Sequence, residues 1–492
     1  MAGVYIVNDN ECISYPSSMD SFSPDICYPE YPWGKDTISK QSNNVYHMVR
    51  SCFELAGYDK DNFGTPEWNP LGEFIKPGDM VLIKPNWVEH KNKNQEVNDN
   101  LACLVTQPSI ARAVIDYAAI ALKGAGTIII ADAPMQGCNL QEMFRITGYD
   151  KLFSFYNGKI DLQVADLRKY SVSAKVNGVY SKPVMTKETS GCIRVSLGKS
   201  SMHSEKDTED PEYKVSDYMQ IQTKEYHSKG KHDYDINKLA LQADVIINLP
   251  KPKTHRLAGM TASIKNFVGV TYDKVCLPHR IEKDKQHGGD AYLKKSVWKQ
   301  FMHEFDEKRT YASKNGKYGR AKFNDILMKA CYVIGSVTSK DKYRIGSWYG
   351  NDTIWRTSVD LNYILLHADK TGGIHSDVQR KIITIADMII CGQKEGPVAP
   401  TPKQLGMIMM SENGLLFDRV MCEIMGFNHK KLPVFCKKAV YNTFGYNSKS
   451  QFEDEKVRFK NLNGDSFECR LNEFEGKDEW KFEPHSCWKG HI

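Results

Sequence analysis

The sequence predicts an α/β protein with largely parallel sheets and flanking helices. Apolar runs that suit buried parallel strands recur along the chain, and each turns polar at its C-terminal end. Helix-like segments lie between them, and strand–helix–strand alternation is the pattern of parallel sheets. In such sheets ligands bind beyond the carboxyl ends of the strands, and that is where the chain concentrates lysine, histidine and proline.

In chain order, MVLIKPNWVEH (80–90) is a strand that runs into Lys84-Pro85-Asn86. PSIARAVIDYAAIALKGAG (108–126) repeats apolar residues at helical spacing and stops in glycine. GTIIIADAPMQGCN (126–139) is a second strand, ending in Asp132-Ala133-Pro134. ADVIINLPKPKTH (243–255) is a third, ending in Lys251-Pro252-Lys253. ITIADMIICGQKEGP (383–397) and LGMIMMSE (405–412) follow, and VRFKNLNGDSFECRL forms a hairpin about Asn463-Gly464. HRLAGMTASIK (255–265) is expected to leave the third strand as a loop and become a helix near Ala258, with Thr261 and Lys265 on one face and the helix N-terminus at the cleft.

At 492 residues the chain exceeds the size at which one core keeps growing. The expected division is an N-terminal α/β domain (1–300) with a polar insertion at 199–235, a second α/β domain (301–447) and a C-terminal hairpin and tail (448–492), the boundary falling between 275 and 335. The insertion and the lysine-rich stretch 281–322 read as solvated loops or short helices. A net charge of +6, with acids and bases mixed, excludes a general nucleic-acid binder. No apolar run approaches the roughly 18 residues of a membrane span. MAGVYIVNDNECISYPSS has no basic region followed by an apolar stretch, so the expected location is cytoplasmic. Thirteen cysteines without a Cys-x-x-Cys read as reduced thiols, with Cys138 and Cys276 near polar loops.

The chemistry lies in the cations. Lys251, Lys253, His255, Arg256 and Lys265 fall within fifteen residues, and Lys84 and Asn86 reach the same sheet edge. With Arg356 they are the candidate substrate-binding set, with His255, Lys265 and His279 as catalytic candidates. Clustered cations destabilise one another unless an anion is present, so the partner is a small carboxylate or phosphate compound. A histidine among cations stays neutral and available for acid/base work. Asp132, Asp387 and Glu395 are candidate ligands for a divalent metal ion.

The stretch 243–270 resembles the lactate racemase (nickel-pincer) family, whose motif is His-x-x-Ala-Gly-x-Ser-Gly-Gly-x-Lys after a strand beginning Ala-Asp. This chain has Ala243-Asp244, His255, Ala258, Gly259, Thr261 and Lys265. The resemblance implies a lactate-racemase-like N-terminal domain, a catalytic His255, a cofactor-holding Lys265 and a downstream histidine, for which His279 fits. Thr261-Ala262-Ser263 stands where that family has Ser-Gly-Gly, and Lys84-Pro85-Asn86 where it has Asp-x-Thr-Arg-Pro. These departures speak against a nickel-pincer nucleotide. A resemblance to the domain-of-unknown-function family 362 covers most of the chain: KPN (84–86), LPKPKTH (249–255), KNFVG (265–269), NDTIWR (351–356) and EGPVAPTPKQLG (395–406). Many members of that family carry a ferredoxin-like cysteine cluster; this chain lacks it, so no iron–sulfur cofactor is implied.

The expected function is an enzyme acting on a small anionic metabolite, by proton or hydride transfer at a cationic strand-end pocket. The alternative is a non-catalytic protein that binds an anionic metabolite or a metal. Neither a membrane nor a nucleic-acid partner is expected, and the oligomeric state is open.

Overall fold

Eleven strands share one sheet in the structure, a computed structural model that describes residues 3–97, 101–172, 175–186, 190–207, 211–216 and 218–492. In chain order the elements that frame the site are β1 (Gly3–Asn8), α1 (Asn44–Ala56), β2 (Met80–Pro85), α2 (Pro108–Leu122), β3 (Thr127–Asp132), β4 (Leu162–Asp166), β5 (Val245–Leu249), β6 (Lys253–His255), β7 (Gly259–Thr261), α3 (Ser263–Asn266), α4 (Val297–Lys314), α5 (Tyr318–Thr338), α6 (Ile354–His367), β8 (Lys381–Glu395), β9 (Ala399–Ser411), α7 (Gly414–Ile424), β10 (Lys456–Asn461) and β11 (Ser466–Arg470). The strand order is β11-β10-β1-β9-β8-β5-β2-β3-β4, with β6 paired to β7 and to β8. From β8 to β4 every pairing is parallel.

Alternation along the strands builds a core on each face. Val81 and Ile83 of β2, Ile128 and Ile130 of β3, and Val245 and Ile247 of β5 pack with α1 and α2. Leu82, Ile129 and Ile246 point the other way and meet Leu361, Ile364 and Leu365 of α6. Both faces are buried, which is why these strands read as unbroken apolar runs. Each such side chain contributes about 1.5–3 kcal/mol on leaving water. α2 begins with Pro108 at its first turn and closes on Lys123 in the left-handed region, one residue before Gly124. The C-terminal hairpin forms as expected, β10 pairing antiparallel with β11.

Strands from 1–300 and from 301–447 lie side by side in this sheet, β5 against β8. Three local expectations are corrected. The 199–235 stretch is not a solvated face: Lys231–Asn237 forms a mostly buried strand paired with Cys192–Ser196, and His203, His227 and His232 have no exposure. Its charged residues find internal partners, Asp235 binding Arg194 at 2.8 Å. The lysine-rich stretch contributes instead to two long helices, α4 and α5. HRLAGMTASIK does not become a helix near Ala258: β6 and β7 form a tight hairpin, because Gly259 takes a φ of +78° and lets the chain reverse, and α3 starts only at Ser263. Thr261 and Lys265 therefore share no helix face. Among the described residues no helix is long and apolar enough to cross a membrane.

Candidate functional site

β2 and β3 end side by side and carry the first pair of charges. Lys84 Nζ lies 2.8 Å from Asp132 Oδ1, both side chains fully or nearly fully buried. Lys84 also donates to Pro85 O at 2.8 Å, and Asp132 Oδ2 accepts the Trp87 amide at 2.6 Å. Gly269 lies against this pair so closely that a Cβ there would fall 1.9 Å from Asp132 Oδ1. Next to it, Lys253 Nζ donates to Asn86 Oδ1 at 2.6 Å and to Lys251 O at 2.9 Å. Asn86 donates in turn to Asn266 Oδ1 at 2.9 Å, and Asn266 to Asn248 at 2.7 Å.

The β6–β7 hairpin brings His255 over these strand ends. β6 is held by Gly392 of β8, opposite Lys253, and the turn by Trp488 Nε1, which donates to Arg256 O at 3.1 Å. The chain's last residues thus brace the segment that presents His255. The amides of Leu257 and Ala258 donate to His255 Nδ1 at 3.0 and 3.1 Å, so the neutral ring carries its proton on Nε2. His279 is the opposite tautomer: its Nδ1 donates to Leu277 O at 2.8 Å, leaving an open lone pair on Nε2.

Both rings line one cleft of about 180 Å³ with Asn86, Asp132, Lys253, Arg256, Lys265, Asn266, Gly269 and Lys274. Among its described lining residues, Lys93, Lys253, Arg256, Lys265 and Lys274 face a single carboxylate, Asp132, which Lys84 already neutralises. The energetics follow. Burial and then Lys251 bring Lys253 down to about 7. Burial and then Arg256 bring Lys265 down to about 8; the residue lies deep in the cleft but keeps some exposure through its mouth. Burial brings Lys274 to about 7, against the opposing pull of Asp132. His255 is held well below an ordinary imidazole by burial and then by Lys265 and Arg256. His279 is held at about 3 by burial, only partly offset by its bond to Leu277. Among the described residues Lys265 Nζ has no hydrogen-bond or ion-pair partner. An anion entering here meets polarised donors and two neutral imidazoles in opposite tautomers.

Of the expected residues, His255, Lys265, His279, Asn86, Lys253, Arg256 and Asp132 meet at this cleft, with Lys84 just beneath. Lys251 and Asp387 turn away from it and pair at 3.0 Å with no exposure, and Tyr15 binds both, at 2.6 Å each. Arg356 is held by Glu205 at 2.9 Å and Asp352 at 3.2 Å and does not line the cleft. Glu395 pairs with His485 at 3.1 Å and anchors the C-terminal tail. Asp132, Asp387 and Glu395 are thus engaged separately and are not brought together as a metal set. The α3 N-terminus does not face the cleft either: its Ser263 and Ile264 amides donate to buried Asp418, at 2.7 and 3.2 Å. Sequence reasoning missed Lys274, Asn266 and Gly269. The last two stand in KNFVG, where a glycine three residues after Lys-Asn was the available signal; nothing in the pattern marks Lys274. Cys138 and Cys276, like six of the other eleven cysteines, are buried, and burial pushes both thiols up.

The model of a family described as a domain of unknown function, DUF362, matches residues 81–186 and 212–423. A thylakoid-associated protein of Synechocystis sp. is 24% identical over 212 residues, a match covering 43% of each chain, so less than half of that relative's length is spanned. The lactate racemase apoprotein from Thermoanaerobacterium thermosaccharolyticum aligns over 70% of this chain and 48% of its own, at 14% identity and a TM-score of 0.26. A crystal structure of a Thermotoga maritima protein aligns over 73% of this chain and 54% of its own, at 10% identity and a TM-score of 0.29.

Proposed function

Because the chain belongs to the DUF362 family, whose description names no activity, we propose a function from the cleft itself: an enzyme that moves a proton at a carbon beside the carboxylate of a small anionic metabolite. The observation that carries this is the pair of buried imidazoles in opposite tautomers, set among lysines whose charged forms are disfavoured. Lys253, Arg256 and Lys274 bind the carboxylate or phosphate. His279 Nε2 takes the proton from the carbon. Lys265 stabilises the negative charge that develops on the substrate oxygen. His255 Nε2–H donates a hydrogen bond to that oxygen, and the Lys265 ammonium returns a proton to the carbon; Lys265 then regains its proton from solvent and the His279 imidazolium releases its own. The reaction class is isomerisation or racemisation.

The test is exchange in deuterium oxide. The protein is incubated with a panel of 2-hydroxy acids, 2-oxo acids and sugar phosphates, and proton NMR follows loss of the signal at the carbon beside the acid group. Exchange on at least one compound, abolished by His279→Gln and by His255→Gln, is expected. Saturable binding of these anions with no exchange in any of them refutes catalysis and leaves a binding protein.

A further inference from the structure

Glu89, His90 and Cys138 meet behind the cleft wall, each offering one ligand atom within 4.8 Å of the other two. Tetrahedral sites with bonds of about 2.0–2.3 Å keep their ligand atoms about 3.3–3.8 Å apart, so modest side-chain rotation closes this set on an ion. Glu89 and Cys138 are 4% and 3% exposed. The Glu89 carboxylate accepts the His90 amide at 3.0 Å and faces the His90 ring at 2.7 Å; among the described residues no lysine or arginine pairs with it. The Cys138 thiol donates weakly to Trp87 O at 3.7 Å. Glu142 Oε2 lies 3.6 Å from His90 Nε2, the place from which a further carboxylate orients a ligand imidazole.

We infer that Glu89, His90 and Cys138 ligate a zinc-class divalent cation that fastens the loop after β2 to the loop after β3. Thiolate, imidazole and carboxylate together are the donor set that such an ion takes. The ion compensates the buried carboxylate and ionises the thiol: Cys138 loses its proton to solvent as the sulfur–metal bond forms. The Asn139 amide, 3.2 Å from His90 Nδ1, yields that lone pair to the ion. The two loops already touch through the Met135 amide and Val88 O at 3.1 Å, and both residues line the cleft. The ion's role is to set that wall, and it is independent of which compound the cleft takes.

The test uses the full chain, stripped with a chelator and titrated with Co²⁺. One ion per chain is expected, with a thiolate-to-cobalt charge-transfer band, release of about one proton per ion, displacement by Zn²⁺ and a higher melting temperature. Cys138→Ser loses the band. Glu142→Gln, on a partly exposed side chain, keeps the fold and weakens Co²⁺ binding about tenfold or more. No band in the unaltered chain, or a band that persists in Cys138→Ser, overturns the assignment; unchanged affinity in Glu142→Gln removes Glu142 from it.

Discussion

Sulfate reports on the cleft's electrostatics, because its charge is constant between about pH 6 and 9 while the lysines around it titrate. In the empty cleft Lys265 is brought to about 8 and Lys253 and Lys274 to about 7. An anion beside them favours the ammonium forms and raises all three. Binding therefore takes up protons, and affinity falls as pH climbs through the empty-site values. With Lys265 alone coupled, the dissociation constant rises about tenfold from pH 7 to pH 9, and each further coupled lysine steepens the slope toward about tenfold more per pH unit above its own value. At pH 8 the uptake approaches roughly half a proton for Lys265 and about 0.9 for each of the other two. Titration calorimetry in buffers of different ionisation enthalpy gives both the affinity and the proton count. A dissociation constant flat within about twofold over this range, or net proton release, would refute the reasoning.

Asp387→Ala leaves the buried Lys251 ammonium uncompensated and should cost about 3–5 kcal/mol in urea unfolding; a loss under about 1 kcal/mol would show that the pair does not hold the strand ends. Gly269→Ala sets a methyl group against Asp132 and Lys84, and should lower stability by about 1–3 kcal/mol and weaken sulfate binding together; if neither changes, the close approach is not needed. Arg356→Lys keeps the charge but loses the two-sided grip on Glu205 and Asp352, so thermal stability should fall while sulfate affinity stays within about twofold. Loss of sulfate binding in that variant would return Arg356 to the ligand.

Much of the fold was legible because parallel strands buried on both faces leave unbroken apolar runs, and the runs at 80–90, 126–139, 243–255 and 383–397 each contain a strand of the sheet. The cleft was legible in part, since residues that follow such strands converge at one edge whatever packs around them. Side-chain direction was not. Lys251 and Lys253 are two residues apart in LPKPKTH, yet one pairs with Asp387 in the interior and the other lines the cleft. The 199–235 stretch misled because polarity was taken for exposure, whereas its buried Asp235 is held by Arg194 and Tyr226 and its buried His227 and His232 meet each other.

By itself, then, the sequence determined the layered α/β class and the edge of the sheet where cations gather, because both follow from local periodicity and from chain connectivity. The tertiary structure decided the rest. The tautomers of His255 and His279 depend on which backbone groups meet their Nδ1 atoms. The depressed lysines depend on how deeply each is buried and on the charges beside it, Lys251 for Lys253, Arg256 for Lys265 and the opposing Asp132 for Lys274. The hairpin that presents His255 depends on Trp488, which arrives from 232 residues away. Such contacts join parts of the chain that no sequence window contains, and the free energy of a charge is set by everything that surrounds it.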